Sequence, residues 1–277
     1  MDIFNLVIRN LASWGLMAIY LSLGILEFAL GLYTGRWKKN DRYLDLSSFI
    51  IGYLLRFLKI NFFLLFLLPL VIPQYKSAFS WVSLGWAVLI IIIADDFTQY
   101  WFHRLHHEIP WLWKFHRAHH SASYMGMAMA NRNNLVQSLL FPNLYITATL
   151  TFLGMGPASL IVGTIRGVIT YLAHSSIRWD MPLYRYRILH PFTWVLERTI
   201  SLPATHHAHH AAHDRDGIGH YNGNYGNMLL IWDVIFGTAK ITRKFPQEYG
   251  LEDHDESWSS QFFFPFVKSQ KPGSDLS

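Results

Sequence analysis

The chain has 277 residues and a formal net charge of +5; 52% of its residues are hydrophobic, 16% aromatic and only 15% charged. Soluble domains usually carry about 25% charged residues, so this composition favours a membrane protein. Cysteine is absent, which excludes disulfides, thiolate metal sites and a cysteine nucleophile. No basic run accompanies a nucleic-acid-binding motif, so we expect no nucleic-acid partner.

Two apolar stretches near the amino terminus are long enough to cross a bilayer, which takes about 20 residues. The first, 11–33, contains Glu27, which we interpret as an interfacial residue or one that faces other helices. The second, 47–72, is interrupted by Arg56 and Lys59. We expect these two cations to reach the interface or to face protein rather than lipid.

Two further apolar stretches complete the predicted membrane part. A third span, 79–102, ends at the first histidines, and 135–173 is broken by Gly154–Pro157, as a helical hairpin would be. The basic loop 36–42 is expected in the cytosol, which places every histidine cluster on that side. The sequence thus predicts an all-α integral-membrane helical bundle, with about three full spans plus a helical hairpin and a cytosolic histidine-rich helical cap.

The predicted organisation has three parts. Residues 1–84 form the amino-terminal transmembrane helices, 85–240 a catalytic domain and 241–277 a carboxy-terminal tail. The polar end of that tail, 268–277, is expected to be disordered.

Histidines are concentrated in three short clusters that can bind metal. His103 and His107 lie four residues apart and therefore on one face of a helix. The other two clusters have the pattern His-x-x-His-His, whose members share an arc of a helix. Imidazole suits iron, zinc, copper and nickel. The number of histidines in the clusters is greater than one ion can coordinate, so we expect two ions. The eight motif histidines are His103, His107, His116, His119, His120, His206, His209 and His210.

The residues around these clusters are also distinctive. Segments 96–104 and 110–116 lead into the first two clusters, and 203–206 leads into the third. Segment 224–238 contains Asn-Tyr-Gly, Trp-Asp and Phe-Gly-Thr. Over about residues 85–238 these motifs together resemble the fatty acid hydroxylase/sterol desaturase superfamily of membrane-bound, histidine-rich di-iron oxygenases.

The resemblance implies a chemistry as well as a fold. It implies two iron ions, replaceable by zinc in purified material, with O₂ as co-substrate and a lipid or sterol-like substrate that is hydroxylated or desaturated. Electrons would come from a separate reductase, ferredoxin or cytochrome, since no cytochrome b5, flavin or nicotinamide motif is seen in this sequence. The expected location is the bacterial inner membrane or the endoplasmic reticulum, with the metal site facing the cytosol.

The resemblance also implies a ninth ligand, His174, at the end of the hairpin; the alternative is an interfacial histidine without a metal. Asp96 precedes His103 by two helical turns and could accept the outer N–H of a ligand, or simply end a helix. Asn224 and Asp233 could orient ligands similarly, or only shape a turn. The predicted catalytic and metal-binding set is His103, His107, His116, His119, His120, His174, His206, His209 and His210.

The other histidines are weaker candidates. We leave open whether three of them join the site; of two others, the first is expected to face elsewhere on its helix and the second fills a variable position of its motif; one is expected on the surface. Those three groups are, in order, His190, His213 and His220; His106 and His207; and His254. Residues 131–134, which follow the Met-rich run 125–129, depart from the family pattern, and this segment is expected to line the substrate entry.

Two other functions remain to be separated from an oxygenase. A zinc-dependent membrane hydrolase would be expected to show a His-Glu-x-x-His helix, and the sequence has none. A metal transporter needs ligands within its spans, whereas these histidines lie at or beyond the predicted span ends. Iron-dependent O₂ uptake would support the oxygenase alone.

Overall fold

The computed structural model describes residues 3–251 and 256–268. Within them the protein is all-helical, with two isolated β-bridges and no longer strand. The predictions for His254 and for the end of the tail fall outside the described residues. The α-helices are α1 (Ile3–Ala29), α2 (Lys39–Phe62), α3 (Leu68–Val71), α4 (Leu84–Glu108), α5 (Pro110–His120), α6 (Leu135–Leu140), α7 (Pro142–Leu150), α8 (Gly156–His174), α9 (Met181–Arg185), α10 (His190–Thr199), α11 (Pro203–His209), α12 (Ile231–Ile235) and α13 (Trp258–Phe263).

Two helical segments are long and apolar enough to cross a membrane, judged by length and composition. Lys39–Val71 joins α2 to α3 through a π-helical turn, and Leu135–His174 comprises α6 to α8. Only 6% of the most apolar window of the first segment is buried, and Phe57 is 65% exposed. An apolar surface of this kind needs a lipid or protein partner to cover it.

Helix α4 continues beyond its predicted end and carries the first histidine cluster, His103 to His107. It ends because Ile109 takes an extended conformation (φ −99°, ψ 115°), as the residue before a proline prefers. Pro110 then occupies the first turn of α5, where its missing N–H costs no hydrogen bond. This sharp turn aims the second cluster back toward the first.

The segment Leu135–His174 is interrupted at Gly154, where the backbone is not helical, and α8 packs against α7, as expected of a hairpin. Gly154 has φ +104°, and a Cβ there would lie 2.9 Å from the backbone nitrogen of Ser80, so glycine is required. Both ends of the segment reach the histidine clusters: Gln137 contacts His116, and His174 contacts His119. The hairpin therefore delivers residues from its two ends to one place.

Glu27 is buried inside the protein, where hydrogen bonds to its carboxylate connect α1 to two loops. Its carboxylate accepts hydrogen bonds from the Met127 backbone N–H (2.7 Å), the Ser175 hydroxyl (2.6 Å) and the Ser176 backbone N–H (2.7 Å). Since a buried carboxylate must be paired or hydrogen-bonded, Glu27 has a structural role in the segment that follows His174.

Arg132 is fully buried in a second polar network. Its guanidinium donates to Asp45 (2.6 Å), Asp41 (2.9 Å) and the hydroxyl of Ser121 (3.2 Å). The two carboxylates raise the pKa of Arg132 above its ordinary value. This network fixes the segment between α5 and α6 against the start of α2.

Candidate metal centre

The nine predicted histidines converge on one place and form two adjacent groups. In each group, one nitrogen of every ring lies within 4.8 Å of one nitrogen of every other ring. His120 and His210, from different groups, stack with their ring centroids 4.3 Å apart. The five-histidine group is His103, His107, His116, His120 and His209, and the four-histidine group is His119, His174, His206 and His210.

Each His-x-x-His-His motif divides its rings between the two groups. In α5, His116 and His120 belong to the five-histidine group, whereas His119 belongs to the four-histidine group. In α11 the assignment is reversed, because only His209 joins the five-histidine group. Positions i+3 and i+4 lie on opposite sides of position i around a helix, so one helix can serve two neighbouring centres.

Backbone carbonyls set the orientation of two rings in the five-histidine group. Nδ1 of His103 lies 2.6 Å from the Tyr225 carbonyl oxygen, and Nδ1 of His209 lies 2.7 Å from that of Gly223. A carbonyl only accepts, so each Nδ1 carries the proton and each Nε2 presents a lone pair. The two Nε2 atoms are 3.1 Å apart. Two facing lone pairs repel unless a cation lies between them.

The four-histidine group is built in the same way. Nδ1 of His119 donates to the Arg132 carbonyl (3.0 Å), and Nδ1 of His174 donates to the Thr170 carbonyl (2.7 Å). Their Nε2 atoms lie 3.4 Å apart, and Nε2 of His206 lies 3.0 Å from that of His174. The Nε2 atoms of His119 and His174 thus face each other as lone pairs, with Nε2 of His206 beside them.

Gln137 orients a further ring. Its side-chain nitrogen is placed 2.6 Å from Nδ1 of His116, while its Oε1 is buried without a partner. Amide nitrogen and oxygen are assigned from the surrounding hydrogen bonds, and exchanging them gives Oε1 a donor in His116 Nδ1–H. An amide oriented in this way holds His116 in the same tautomer as His103 and His209.

The chemistry of this donor set fits metal ions. Burial, together with the neighbouring imidazoles, lowers the pKa of the α5 and α11 ring nitrogens well below 6.5, so they are neutral ligands at pH 7. Nε2 of His107 and of His210 is buried without a hydrogen-bond partner. Neutral imidazole nitrogens suit iron or zinc, and the residues present fit one ion in each group.

Asn224 and Asp233 hold the loop whose carbonyls orient His103 and His209. Asp233 accepts hydrogen bonds from the backbone N–H of Tyr225 (2.8 Å) and Gly226 (2.7 Å). Asn224 has φ +52° and binds backbone atoms of Thr205 and Lys240. These two side chains therefore position His103 and His209 through the backbone rather than by direct contact.

Asp96 is buried at a different place. Its carboxylate accepts from the Trp232 indole N–H (3.0 Å) and from the Leu229 backbone N–H (3.4 Å). It connects α4 to α12, while the outer nitrogen of His103 is bound by the Tyr225 carbonyl instead.

The remaining described histidines bind other partners. His207 lies between the Tyr249 hydroxyl and the Ser175 carbonyl, both at 3.0 Å. His106 bonds to the Phe102 carbonyl. The three histidines whose role was left open lie outside both groups, with contacts to Tyr184, Glu248 and Thr238; they are His190, His213 and His220.

Two cavities reach the histidines from different sides. The helical cavity, 220 Å³, lies among α2, α4, α6 and α8 and opens on rings of both groups, including His103 and His119. The loop cavity, 570 Å³, reaches His107 and His120 beside Trp113. A substrate and a second reactant could thus approach along separate routes.

The segment expected to line the substrate entry, 131–134, follows directly on the Met-rich run 125–129. Met125, Met127 and Met129 are buried in the apolar core against aromatic rings. Asn131 and Asn133 of the following segment line the helical cavity. The short 3₁₀ turn at Met127–Met129 directs the side chains of Met127 and Met129 into the core.

Comparison with known proteins is decisive for the family. The family profile described as fatty acid hydroxylase matches residues 88–238, more than half of the chain. The chain belongs to the fatty acid hydroxylase family. All nine clustered histidines lie within the matched region, so the superfamily resemblance seen in the sequence is confirmed.

Several curated proteins are similar to this fatty acid hydroxylase family member. Alkylglycerol monooxygenase of Danio rerio is 28% identical over 192 residues, which cover 66% of this chain and 38% of that protein. Ornithine lipid hydroxylase OlsE of Rhizobium tropici is 32% identical over 169 residues (60% and 46%). Cholesterol 25-hydroxylase of Rattus norvegicus is 27% identical over 176 residues (63% and 51%). The chain therefore spans about half or less of each relative. No solved structure shows a significant match.

Sequence reasoning missed the groups that orient the rings. Gln137 is an amide in an otherwise apolar segment, and a polar side chain at such a place is the signal that could have drawn attention to it, because buried amides are nearly always bonded. The carbonyls of Thr170, Arg132 and Gly223 carry no such signal, since every residue has one. Only the folded backbone selects them.

Proposed function

We propose that this protein is a membrane-embedded, non-haem di-iron oxygenase that hydroxylates a lipid or sterol-like substrate with O₂ and external electrons. One observation carries the proposal. Nine histidines form two adjacent groups whose inward-facing nitrogens lie within 4.8 Å of one another in each group. Paired catalytic ions sit about 3.5–4 Å apart, which two touching groups of rings can accommodate.

The five-histidine and four-histidine groups would each hold one iron ion. Bound there, iron supplies the O₂ activation that attack on an unreactive C–H bond requires, a reaction beyond side-chain acids and bases. The protein's own part is to hold four of the nine rings in one tautomer through the carbonyls of Tyr225, Gly223, Arg132 and Thr170. The helical cavity would place the substrate carbon beside His103 and His119.

A lipid substrate is supported by the relatives and by the surface of the protein. The relatives' names specify an alkylglycerol, an ornithine lipid and cholesterol as substrates, and each names a hydroxylation or monooxygenation. The apolar side chains exposed along α2 and α3 would contact the bilayer from which such a substrate comes. Hydroxylation is therefore preferred here to desaturation.

We also propose the membrane arrangement of about three spans, a hairpin and a cytosolic cap that holds the metals. Trp81 and Trp86, exposed by 79% and 65% near the start of α4, suit the interface opposite the histidines. The division into 1–84, 85–240 and 241–277 remains part of the proposal, as do a separate electron donor and a bacterial inner membrane or endoplasmic reticulum location.

The decisive experiment compares cells that express the wild type, His119→Ala or His213→Ala. We expect the wild type and His213→Ala to produce a lipid that has gained one oxygen atom, and purified protein to consume O₂ only with iron and a reductant. His119→Ala should do neither. A chain that binds zinc, hydrolyses lipid and never consumes O₂ would refute the proposal.

A further inference from the structure

The end of the helical cavity away from the histidines contains an unusual pair of charged residues. Arg56 of α2 and Arg166 of α8 line the cavity, and they are the only Asp, Glu, Lys or Arg residues among its described lining residues. They also line a smaller cavity, 90 Å³, that continues among Leu16, Ile60 and Leu160. The two guanidiniums therefore stand where one cavity leads into the next.

The positive charge of this pair is only half compensated. Arg166 forms an ion pair with Asp95 of α4. Among the described residues, Arg56 has neither a hydrogen bond nor an ion pair. Its neighbour Lys59, one turn further along α2, donates to the carbonyls of Ser138 and Leu139 and is thus satisfied. Of the described cations beside this cavity, Arg56 is thus the one without a hydrogen bond or ion pair.

Arg56 is half-buried, and a guanidinium in a segment of this kind needs water or an anion to solvate it. Arg56 belongs to an apolar helical segment long enough to span a bilayer, and charges in such segments mark binding sites or pathways. An unpaired charge away from water loses much of its solvation free energy. Arginine presents a planar fork of donors that matches a carboxylate or a phosphate.

The position of the pair relative to the histidines is fixed by two helices. Arg166 precedes His174 by eight residues in α8, and Asp95 precedes His103 by eight residues in α4. At about 1.5 Å per residue, the arginines lie roughly 12 Å along the helices from the histidine layer. A chain-like molecule whose charged end is bound at Arg56 would thus reach the rings with carbons remote from that end.

We propose that Arg56 and Arg166 form a subsite for the anionic group, a carboxylate or phosphate, of an amphiphilic substrate. Arg56 supplies the free fork, and Arg166 adds a second positive charge while Asp95 holds it in place. This inference rests on the proposed function, because it names the class of molecule that the oxygenase receives. A subsite of this kind would select among lipids by the charge of the polar end rather than by the apolar chain.

The test measures binding without turnover. Purified protein in a neutral detergent, with no reductant present, binds tritiated oleate in competition with unlabelled oleate, oleoyl lysophosphatidate or oleyl alcohol. We expect oleate or lysophosphatidate to compete at least about tenfold better than the alcohol, the advantage expected of one charge-assisted contact. The better of the two anions identifies the chemistry of the natural group.

Variants at Arg56 and at an exposed arginine complete the test. Arg56→Gln should weaken binding of the preferred anion by about tenfold and leave the alcohol within roughly twofold, while Arg56→Lys retains part of the preference. Arg185→Gln, on the exposed surface, should behave as the wild type. Iron content and melting temperature serve as checks of folding.

Equal competition by all three ligands in the wild type overturns the subsite, and so does an unchanged preference in folded Arg56→Gln. Should Arg56→Gln fail to fold, the wild-type preference and Arg56→Lys still decide the question. Because binding requires no turnover, loss of the anion preference leaves the oxygenase proposal standing. Conversely, a protein that prefers anions but never consumes O₂ refutes the proposed function alone.

Discussion

The Nε2 atoms of His103 and His209 lie 3.1 Å apart, although the residues are separated by 106 positions in the chain. Their outer nitrogens are bound by Tyr225 and Gly223, which belong to one short loop. Two helices and a loop distant in sequence thus aim two neutral rings at one point. Such an arrangement makes the histidine set testable ring by ring.

The two groups should differ in their tolerance of a lost ligand. His120→Ala leaves four rings in its group, whereas His174→Ala leaves three in the other, so His174→Ala should lose more bound iron. Iron per chain is measured by elemental analysis after purification from iron-supplemented cells. His213→Ala is the matched control and should keep the wild-type content. Equal iron in His174→Ala and the wild type would exclude His174 as a ligand.

Asp233 should matter for both stability and metal content. Asp233→Ala leaves the N–H groups of Tyr225 and Gly226 and the hydroxyl of Thr238 without their acceptor, at about 1–3 kcal/mol for each buried group. We expect a lower melting temperature and reduced iron, because the loop that orients His103 loosens. Asp214→Asn, on an exposed residue, should change neither quantity. Normal iron content in folded Asp233→Ala would contradict the positioning role.

Arg132 offers a comparison of a buried with an exposed ion pair. Arg132→Met leaves the carboxylates of Asp41 and Asp45 unpaired, which should cost about 3–5 kcal/mol of unfolding free energy. Arg117→Met breaks a partly exposed pair with Glu256 and should cost about 0–1 kcal/mol. Denaturant unfolding in detergent measures both variants. Equal losses would show that the buried network contributes no more than the surface pair.

The free energy of unfolding of the metal-free protein should decrease as the pH is lowered. Burial lowers the pKa of the α5 and α11 ring nitrogens well below 6.5, while the same rings in the unfolded chain bind protons near that value. The unfolded state thus takes up more protons below pH 6.5, and unfolding free energy decreases by about 1.4 kcal/mol per pH unit for each ring.

Melting temperatures followed by tryptophan fluorescence from pH 8 to pH 5 test this expectation. The curve of chelator-treated protein should be nearly flat above about pH 7 and should fall steeply below about pH 6.5, where the unfolded rings bind protons. A melting temperature that stays constant down to pH 5 would mean that the rings are protonated or exposed in the folded state.

The histidine set could be predicted because side chains that can bind metal are recognised from residue type and spacing alone. Nine rings were named from motifs and resemblance, and the structure places all nine together. Their division could not be predicted, since i, i+3 and i+4 spacing places three rings on one arc without showing where the partner helices lie. The assignment of His119 and His209 to opposite groups depends on how α5 faces α11.

Parts of the fold could likewise be predicted from the sequence. Apolar length and the break at Gly154 indicated the hairpin, and Pro110 explains why α4 stops where it does. The roles of Glu27 and Arg132 could not be read from the sequence, because their partners lie about a hundred residues away along the chain. Long-range pairing of buried charges depends on tertiary packing, which local patterns do not encode.

The crossed use of α5 and α11 has a consequence for how the centre is loaded. Each of these helices contributes rings to both groups, so the first ion to arrive must align both helices. That alignment also arranges the rings that await the second ion, which then binds with less ordering left to do. Uptake should therefore be cooperative, and a half-filled protein should be scarce at equilibrium.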